Sequence, residues 1–167
     1  HPIVDPDVEV ITPLLVKGLP AGPGGATGKA VFTAQDAVDW AAKGETVVLV
    51  REETNPEDVE GMRASVAILT SRGGMTSHAA LVARGWGMCC IVGAGEMKVD
   101  SFKKKFVING KTIKEGDLIT LNGTAGKVYE GELPLIETDI TSEYLTHFLG
   151  MCDGIKKLKV RTNAETP

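Results

Sequence analysis

Three short runs of apolar residues constrain the fold of this chain more than any other feature. They read TVVLVR at residues 46–51, VAILT at 66–70 and CCIV at 89–92. Each run is continuous rather than alternating, which is typical of strands buried on both faces of a parallel sheet. Helical patterns precede or separate the runs, at residues 34–43, from Asn55–Pro56 onward and at residues 78–84. The succession predicts an α/β unit with a mostly parallel sheet.

The chain beyond Gly95 follows a different pattern. Short apolar segments at residues 106–109, 118–122 and 127–130 are separated by glycine-containing turns, and no helical pattern lies between them. We therefore expect a β-rich layer packed on the small α/β unit. Periodicity alone leaves open how the strands of the two halves pair.

The chain divides into four segments. Residues 1–13 are rich in proline and acidic residues and are predicted to be an extended, exposed N-terminal linker. Residues 14–140 form the main domain. An apolar stripe along residues 141–157 predicts an amphipathic linker helix. Residues 158–167 look like the first strand and helix start of a further domain.

Composition argues against several classes of function. The formal net charge of −4 disfavours a nucleic-acid binder, because such domains usually carry a basic face. No apolar run approaches the roughly 20 residues that span a bilayer. The three cysteines form no CxxC pair for zinc. We expect an intracellular protein, cytoplasmic or organellar, that binds neither nucleic acid nor membrane.

The stretch TSRGGMTSHAA at residues 70–80 holds the candidate site. It begins at the carboxyl end of a predicted buried strand, which is the edge of an α/β sheet where ligands collect. Arg72 is the nearest cation, and Gly73 and Gly74 allow the backbone to approach a ligand closely. We therefore expect a small anion at this edge.

His78 is the candidate reactive residue. With Thr76 or Ser77 as the N-cap, His78 lies in the first turn of the next helix, where free backbone N–H groups and the helix dipole attract phosphate. A nucleophile beside such donors is a candidate phosphoryl acceptor. From the residues alone, a histidine that makes one hydrogen bond at a helix start is an equal alternative. No second histidine or spaced carboxylate indicates a metal site.

The sequence GGMTSHAALVARGWGMCCIVG at residues 73–93 strongly resembles the phosphohistidine motif of the pyruvate phosphate dikinases, a family of phosphoenolpyruvate (PEP)-utilising enzymes. Further stretches extend the resemblance over most of the chain: residues 18–29, REETNPEDVEGM at 51–62 and LKVRTNAETP at 158–167. Met75 and the pair Cys89–Cys90 favour the dikinases over the related PEP synthases and enzyme I of the sugar phosphotransferase system.

The resemblance implies an α/β fold of the swivelling β/β/α phosphohistidine type, as the middle part of a three-part transferase. An N-terminal nucleotide-binding domain would convert ATP and phosphate to AMP and diphosphate, leaving a phosphoryl group on Nε2 of His78. A C-terminal barrel would then use that group to make PEP from pyruvate. The resemblance also implies Mg²⁺ bound mainly by the other domains, a homodimer formed through the C-terminal domain, and no activity for this part alone.

From their place at the strand end and helix start, we expect Arg72, Gly73, Gly74, Thr76 and Ser77 to surround the phosphate. The resemblance implies that Thr76 is a regulatory phosphorylation site, as in plant members. The sequence departs from the family at two positions, because Gly22 replaces a serine and Ala94 a frequent cysteine. A hydroxyl contact from the first loop is therefore not expected. Two alternatives remain, the same carrier role in a PEP synthase and a non-catalytic swivelling interaction module.

Overall fold

The structure is a computed structural model that describes residues 2–137. Its helices are α1 Pro6–Glu9, α2 Ala34–Ala42, α3 Val59–Ala64 and α4 His78–Trp86, with a 3₁₀ turn at Pro56–Asp58. Its strands are β1 Ile3–Val4, β2 Val16–Lys17, β3 Leu19–Gly22, β4 Gly25–Val31, β5 Val47–Arg51, β6 Ala67–Thr70, β7 Cys89–Val92, β8 Lys98–Asp100, β9 Lys105–Ile108, β10 Lys111–Lys114, β11 Leu118–Asn122, β12 Lys127–Glu130 and β13 Leu135–Ile136. The linker helix predicted at residues 141–157 and the segment 158–167 lie outside the described residues.

An eight-stranded sheet forms the centre of the fold, in the order β2-β12-β11-β4-β5-β6-β7-β3. The four strands β4 to β7 pair in parallel, and the pairs on either side of them are antiparallel. All four residues of β6 and of β7 are buried, and so are four of the five in β5. The parallel sheet predicted from the continuous apolar runs is confirmed.

The two faces of the central sheet are covered by different layers. Val47 and Leu49 pack with buried residues of α2, α3 and α4 on one face. Val48 and Val50 point the other way and pack with residues of β9 and β10, because successive side chains of a strand point to opposite faces. The strands β8, β9 and β10 form a separate three-stranded sheet. The layers are therefore small sheet, large sheet and helices, which confirms the predicted β/β/α class.

The β-rich half of the chain does not form one layer. Strand β11 pairs with β4 from Leu118 opposite Lys29 to Asn122 opposite Gly25, so β11 and β12 extend the central sheet. Strands β8 to β10 lie on its face as a separate sheet, and β13 pairs with β1 in a two-stranded sheet. The pairing that periodicity left open thus divides the described part of the second half among three sheets.

The first residues of the chain pack on the domain. Strand β1 pairs with β13, and Val4, which is 3% exposed, contacts Tyr129 and Leu133. The Glu9 carboxylate in α1 accepts hydrogen bonds from the Tyr129 hydroxyl at 2.6 Å and the Asn122 amide at 2.8 Å. The expectation of an extended, exposed segment is therefore wrong for residues 3–9, because these partners lie more than 110 residues away in sequence. The position of the hinge stays a prediction.

Cys89 and Cys90 are buried in β7. Burial raises the pKa of both thiols to about 12, so they stay protonated at neutral pH and serve as small core residues. Within residues 2–137, no helix is long and apolar enough to cross a membrane.

Candidate functional site

The loop from β6 to α4 places His78 at the start of the helix. Ser77 has extended backbone angles, and its Oγ accepts a hydrogen bond from the N–H of Ala80 at 3.4 Å. Ser77, rather than Thr76, is therefore the N-cap, and His78 is the first helical residue. The helix ends at Gly87, whose φ of 67° is the left-handed conformation that glycine adopts readily.

The imidazole ring of His78 is held by a buried threonine. Its Nδ1 lies 2.9 Å from Oγ1 of Thr54, a residue that is 5% exposed and follows β5. Nε2 has no hydrogen-bond partner among residues 2–137, and His78 itself is only half-buried. One ring nitrogen is thus fixed by the protein, while the other is available to a ligand.

An ion pair joins the two ends of the loop that carries Thr54. Nε of Arg51 lies 3.7 Å from Oδ2 of Asp58, and both side chains are largely buried. The same Asp58 oxygen accepts a hydrogen bond from the N–H of Asn55 at 2.9 Å, and Nη1 of Arg51 donates to Ser101 Oγ at 3.3 Å. These contacts fix the backbone on both sides of Thr54 and so position its hydroxyl against His78.

The first part of the loop before α4 turns its backbone sharply. Gly73 has a φ of +95°, and a Cβ there would lie 2.8 Å from Cβ of Ser77. The Thr70 hydroxyl donates to the carbonyl of Arg72 at 2.7 Å, and the Arg72 N–H donates to the carbonyl of Glu52 at 2.9 Å. Glycine at position 73 is therefore required for the turn.

Other carbonyl groups of the loop are also occupied by donors. The carbonyl of Gly74 accepts from the Ser77 N–H at 3.0 Å, and that of Met75 accepts from the guanidinium of Arg84. The long side chain of Arg84 thus reaches back from the helix to the loop. Between residues 72 and 80, six backbone N–H groups have no acceptor within residues 2–137, those of Gly73, Gly74, Met75, Thr76, His78 and Ala79. The loop and helix start thus offer donors, which suits an anion.

A cleft of about 480 Å³ lies beside the histidine. Its lining includes Arg72, Ser77, His78 and Thr54, while Gly73, Gly74 and Thr76 belong to the adjoining loop and do not line it. Arg72 pairs with Glu52 at 3.7 Å, and both side chains are more than half exposed. Such surface pairs contribute little stability, so the guanidinium is available to a ligand in the cleft. No group of three or more His, Cys, Asp or Glu side chains in residues 2–137 could hold a metal ion.

Sequence reasoning missed Thr54 and the ion pair that supports it. The signal for Thr54 was available, because it follows the carboxyl end of buried strand β5, as Arg72 follows β6, and such ends meet at one edge of a parallel sheet. The pairing of Arg51 with Asp58 had no comparable signal, since it depends on the path of the loop between them.

The comparisons with known proteins agree with this architecture. Residues 43–126 match the family model described as "PEP-utilising enzyme, mobile domain". The chain is 47% identical to the pyruvate, phosphate dikinase of Clostridium symbiosum over 100% of its own length and 19% of the relative. It is 51% identical to the chloroplastic pyruvate, phosphate dikinase 1 of Arabidopsis thaliana over 92% of its length and 16% of the relative.

The solved structures that match include an NMR structure of Enzyme I, with 26% identity and a TM-score of 0.37. The match covers 60% of this chain and 34% of the other, and it is too weak to bear on the fold. The chain spans less than a fifth of the length of the curated relatives named above. Because the family model covers half of the chain and includes the loop and helix of His78, the chain belongs to the mobile-domain family of PEP-utilising enzymes.

Proposed function

We propose that this chain is the phosphoryl carrier of a pyruvate phosphate dikinase and that Nε2 of His78 holds the phosphoryl group. The reaction of the whole protein is ATP + phosphate + pyruvate = AMP + diphosphate + PEP. The observation that carries the proposal is the hydrogen bond between His78 Nδ1 and Thr54 Oγ1 at 2.9 Å. It leaves Nε2 as the nitrogen that faces a ligand, beside a helix start with free N–H groups.

The carrier step is a nucleophilic substitution at phosphorus. When Nδ1–H donates to Thr54, Nε2 keeps its lone pair. Nε2 attacks the phosphorus, the P–N bond forms, and the bond to the leaving oxygen breaks with its electron pair on that oxygen. In the same half, an oxygen of inorganic phosphate attacks the terminal phosphorus that came from ATP, and the P–O bond between the two phosphoryl groups breaks, so that diphosphate leaves and one phosphoryl group stays on Nε2. AMP carries the leaving oxygen of the attack by Nε2. In the second half, the enolate oxygen of pyruvate attacks the phosphorus on Nε2, and the P–N electron pair returns to Nε2. Thr54 fixes the ring orientation in both halves.

In this chain, backbone N–H donors stabilise the charge of the phosphoryl group more than cationic side chains do. The free N–H groups at the start of α4 can donate hydrogen bonds to an anion, and the positive end of the helix dipole attracts it. Arg72 is the cation of the cleft once it leaves Glu52. Phosphoryl transfer needs more positive charge, commonly Mg²⁺ and further Arg or Lys. In this proposal the metal, with ATP, binds mainly to other domains, as the resemblance to the dikinases implies.

Further parts of the proposal concern the whole protein. The carrier swivels between an N-terminal nucleotide-binding domain and a C-terminal PEP- and pyruvate-binding barrel, through which the protein dimerises. The relatives are more than five times longer than this chain, which supports the presence of such domains. Thr76 is exposed in the loop next to His78 and is the proposed regulatory phosphorylation site.

The experiment that tests the proposal uses the full-length protein with ATP, phosphate and Mg²⁺. After a quench, mass spectrometry should find one acid-labile, base-stable phosphate on the peptide that contains His78. The His78→Asn variant should gain none, and His147→Asn is the matched control that keeps labelling. Labelling must require added phosphate and release diphosphate, because a PEP synthase would use water instead. Label on a serine or threonine, or label that persists in His78→Asn, would refute the assignment.

A further inference from the structure

The small sheet presents a basic outer face. Its inner residues Val99, Phe106 and Ile113 are paired across the strands and pack towards the central sheet. Side chains alternate along a strand, so the positions on either side of them point outwards. Lys98, Lys105 and Lys114 occupy such positions, and so does Asp100, which is paired with Lys105 across the strands. We call these lysines, together with Phe102 and Lys103 of the turn from β8 to β9, the basic face.

The basic face concentrates positive charge on an otherwise acidic protein. Residues 98–105 read KVDSFKKK, with four lysines and one aspartate, while the whole chain has a net charge of −4. Lys104 is paired with Asp36 at 2.8 Å. Within residues 2–137, no carboxylate lies within 4.0 Å of the ammonium groups of the basic face. Their charge is therefore free to attract a partner.

Phe102 lies in the turn between β8 and β9, next to Lys103 in sequence, and is 94% exposed. Its turn is fixed, because the Lys103 N–H donates to Asp100 Oδ1 at 2.9 Å and Lys104 has a φ of 56° with its ammonium on Asp36. A single exposed aromatic is ordinary on a protein surface. A rigidly presented one among unpaired lysines has the composition of a binding anchor.

The basic face adjoins the cleft of His78. Glu52, Lys98, Ser101 and Lys105 line a depression on this side of the protein. Ser101 accepts a hydrogen bond from Arg51, at the start of the loop that carries Thr54, and Glu52 pairs with Arg72 of the His78 cleft. A partner domain whose active site lies over His78 therefore also contacts the basic face, at the edge of the partner's contact surface.

We propose that the basic face docks on an acidic protein surface with an apolar pocket for Phe102, in the part of the protein that exchanges the phosphoryl group with His78. The inference rests on the proposed function. A protein surface fits better than a free nucleotide, because the basic face also includes the 94% exposed side chain of Phe102, whose ring a protein pocket can bury. A phenyl ring also needs an apolar partner rather than an anion.

The test compares two ways of phosphorylating His78 in the full-length protein. Lys98→Gln/Lys103→Gln/Lys105→Gln, and separately Phe102→Ser, should each slow single-turnover labelling from ATP and phosphate, or from PEP, about tenfold or more at low salt. Labelling by phosphoramidate, a small donor that needs no docking, should keep its rate. The triple variant should also lose most of the salt dependence of the unaltered protein.

The matched control is Lys17→Gln/Lys43→Gln/Lys127→Gln, which makes the same change in net charge elsewhere and should leave all rates unchanged. Normal labelling of the basic-face variants from both ATP and PEP would overturn the inference. So would a raised KM for ATP with an unchanged maximal rate, which indicates a nucleotide site, or a loss of self-association in sedimentation, which indicates a second copy. Failure of phosphoramidate to label His78 in the unaltered protein would instead count against the proposed function.

Discussion

The contact between Thr54 and His78 makes a quantitative prediction. Thr54→Val removes the hydroxyl but keeps a β-branched side chain of similar volume at a position that is 5% exposed. One neutral hydrogen bond contributes about 0.5–1.5 kcal/mol. If that energy orients the ring for attack, phosphorylation of His78 should slow by roughly 2- to 13-fold, since each 1.4 kcal/mol is a factor of ten. Thr54→Ser keeps the hydroxyl and should retain most of the rate.

The assay is labelling of His78 by phosphoramidate, followed by intact mass at intervals. It reports the reactivity of the ring itself without a partner domain. NMR of the imidazole nitrogens should show a change of tautomer populations in Thr54→Val, because Nδ1 loses its fixed partner. The melting temperature should fall by only a few degrees, since about 1 kcal/mol corresponds to about 2–4 °C in a protein of this size. Equal rates and unchanged nitrogen shifts in Thr54→Val would refute the role of this hydrogen bond.

Three further predictions concern the loop, regulation and pH. Gly73→Ala should lower the free energy of unfolding by about 1–2 kcal/mol, because the φ of Gly73 is +95°. Gly74→Ala should change it by less than about 0.5 kcal/mol, because no atom lies within 4 Å of the added Cβ. Urea titration of both variants measures the difference. Thr76→Asp in the full-length protein should lose turnover without a change in melting temperature, because a negative charge repels the incoming phosphoryl group, and near-normal turnover would contradict this. Burial raises the pKa of the Glu115 carboxyl above its ordinary value, and the neighbouring Asp36 carboxyl raises it further. A raised carboxyl pKa costs stability as the pH rises through it, so Glu115→Gln should raise the melting temperature at pH 7 and lose that advantage near pH 4.

The elements that could be predicted from sequence are those with a local cause. Strands β5, β6 and β7 follow from continuous apolar runs, and α4 follows from its cap at Ser77 and its end at Gly87. The same local rules located His78 and Arg72. The prediction of a single β-rich layer failed because it depended on the pairing of distant strands. The antiparallel pairing of Leu118 with Lys29 leaves no signal in the periodicity of the sequence.

The N-terminal segment shows the same limit most clearly. Proline and acidic residues are typical of solvated linkers, and they predicted an exposed segment. The acid that mattered, Glu9, instead accepts hydrogen bonds from Tyr129 and Asn122. A carboxylate that will accept hydrogen bonds from two distant side chains and one that will face water look identical in sequence.

The balance of charge at the site suits a carrier, on the proposed function. The chain supplies backbone donors and one loosely paired cation, Arg72, whose side chain is 64% exposed. A full set of cations here would bind the phosphoryl group equally in the resting carrier and during transfer, and such uniform binding does not lower the barrier of the chemical step. Cations contributed by a docked partner act only when transfer takes place. The carrier can therefore hold a reactive phosphoryl group between sites, and the strongest stabilisation falls on the transition state.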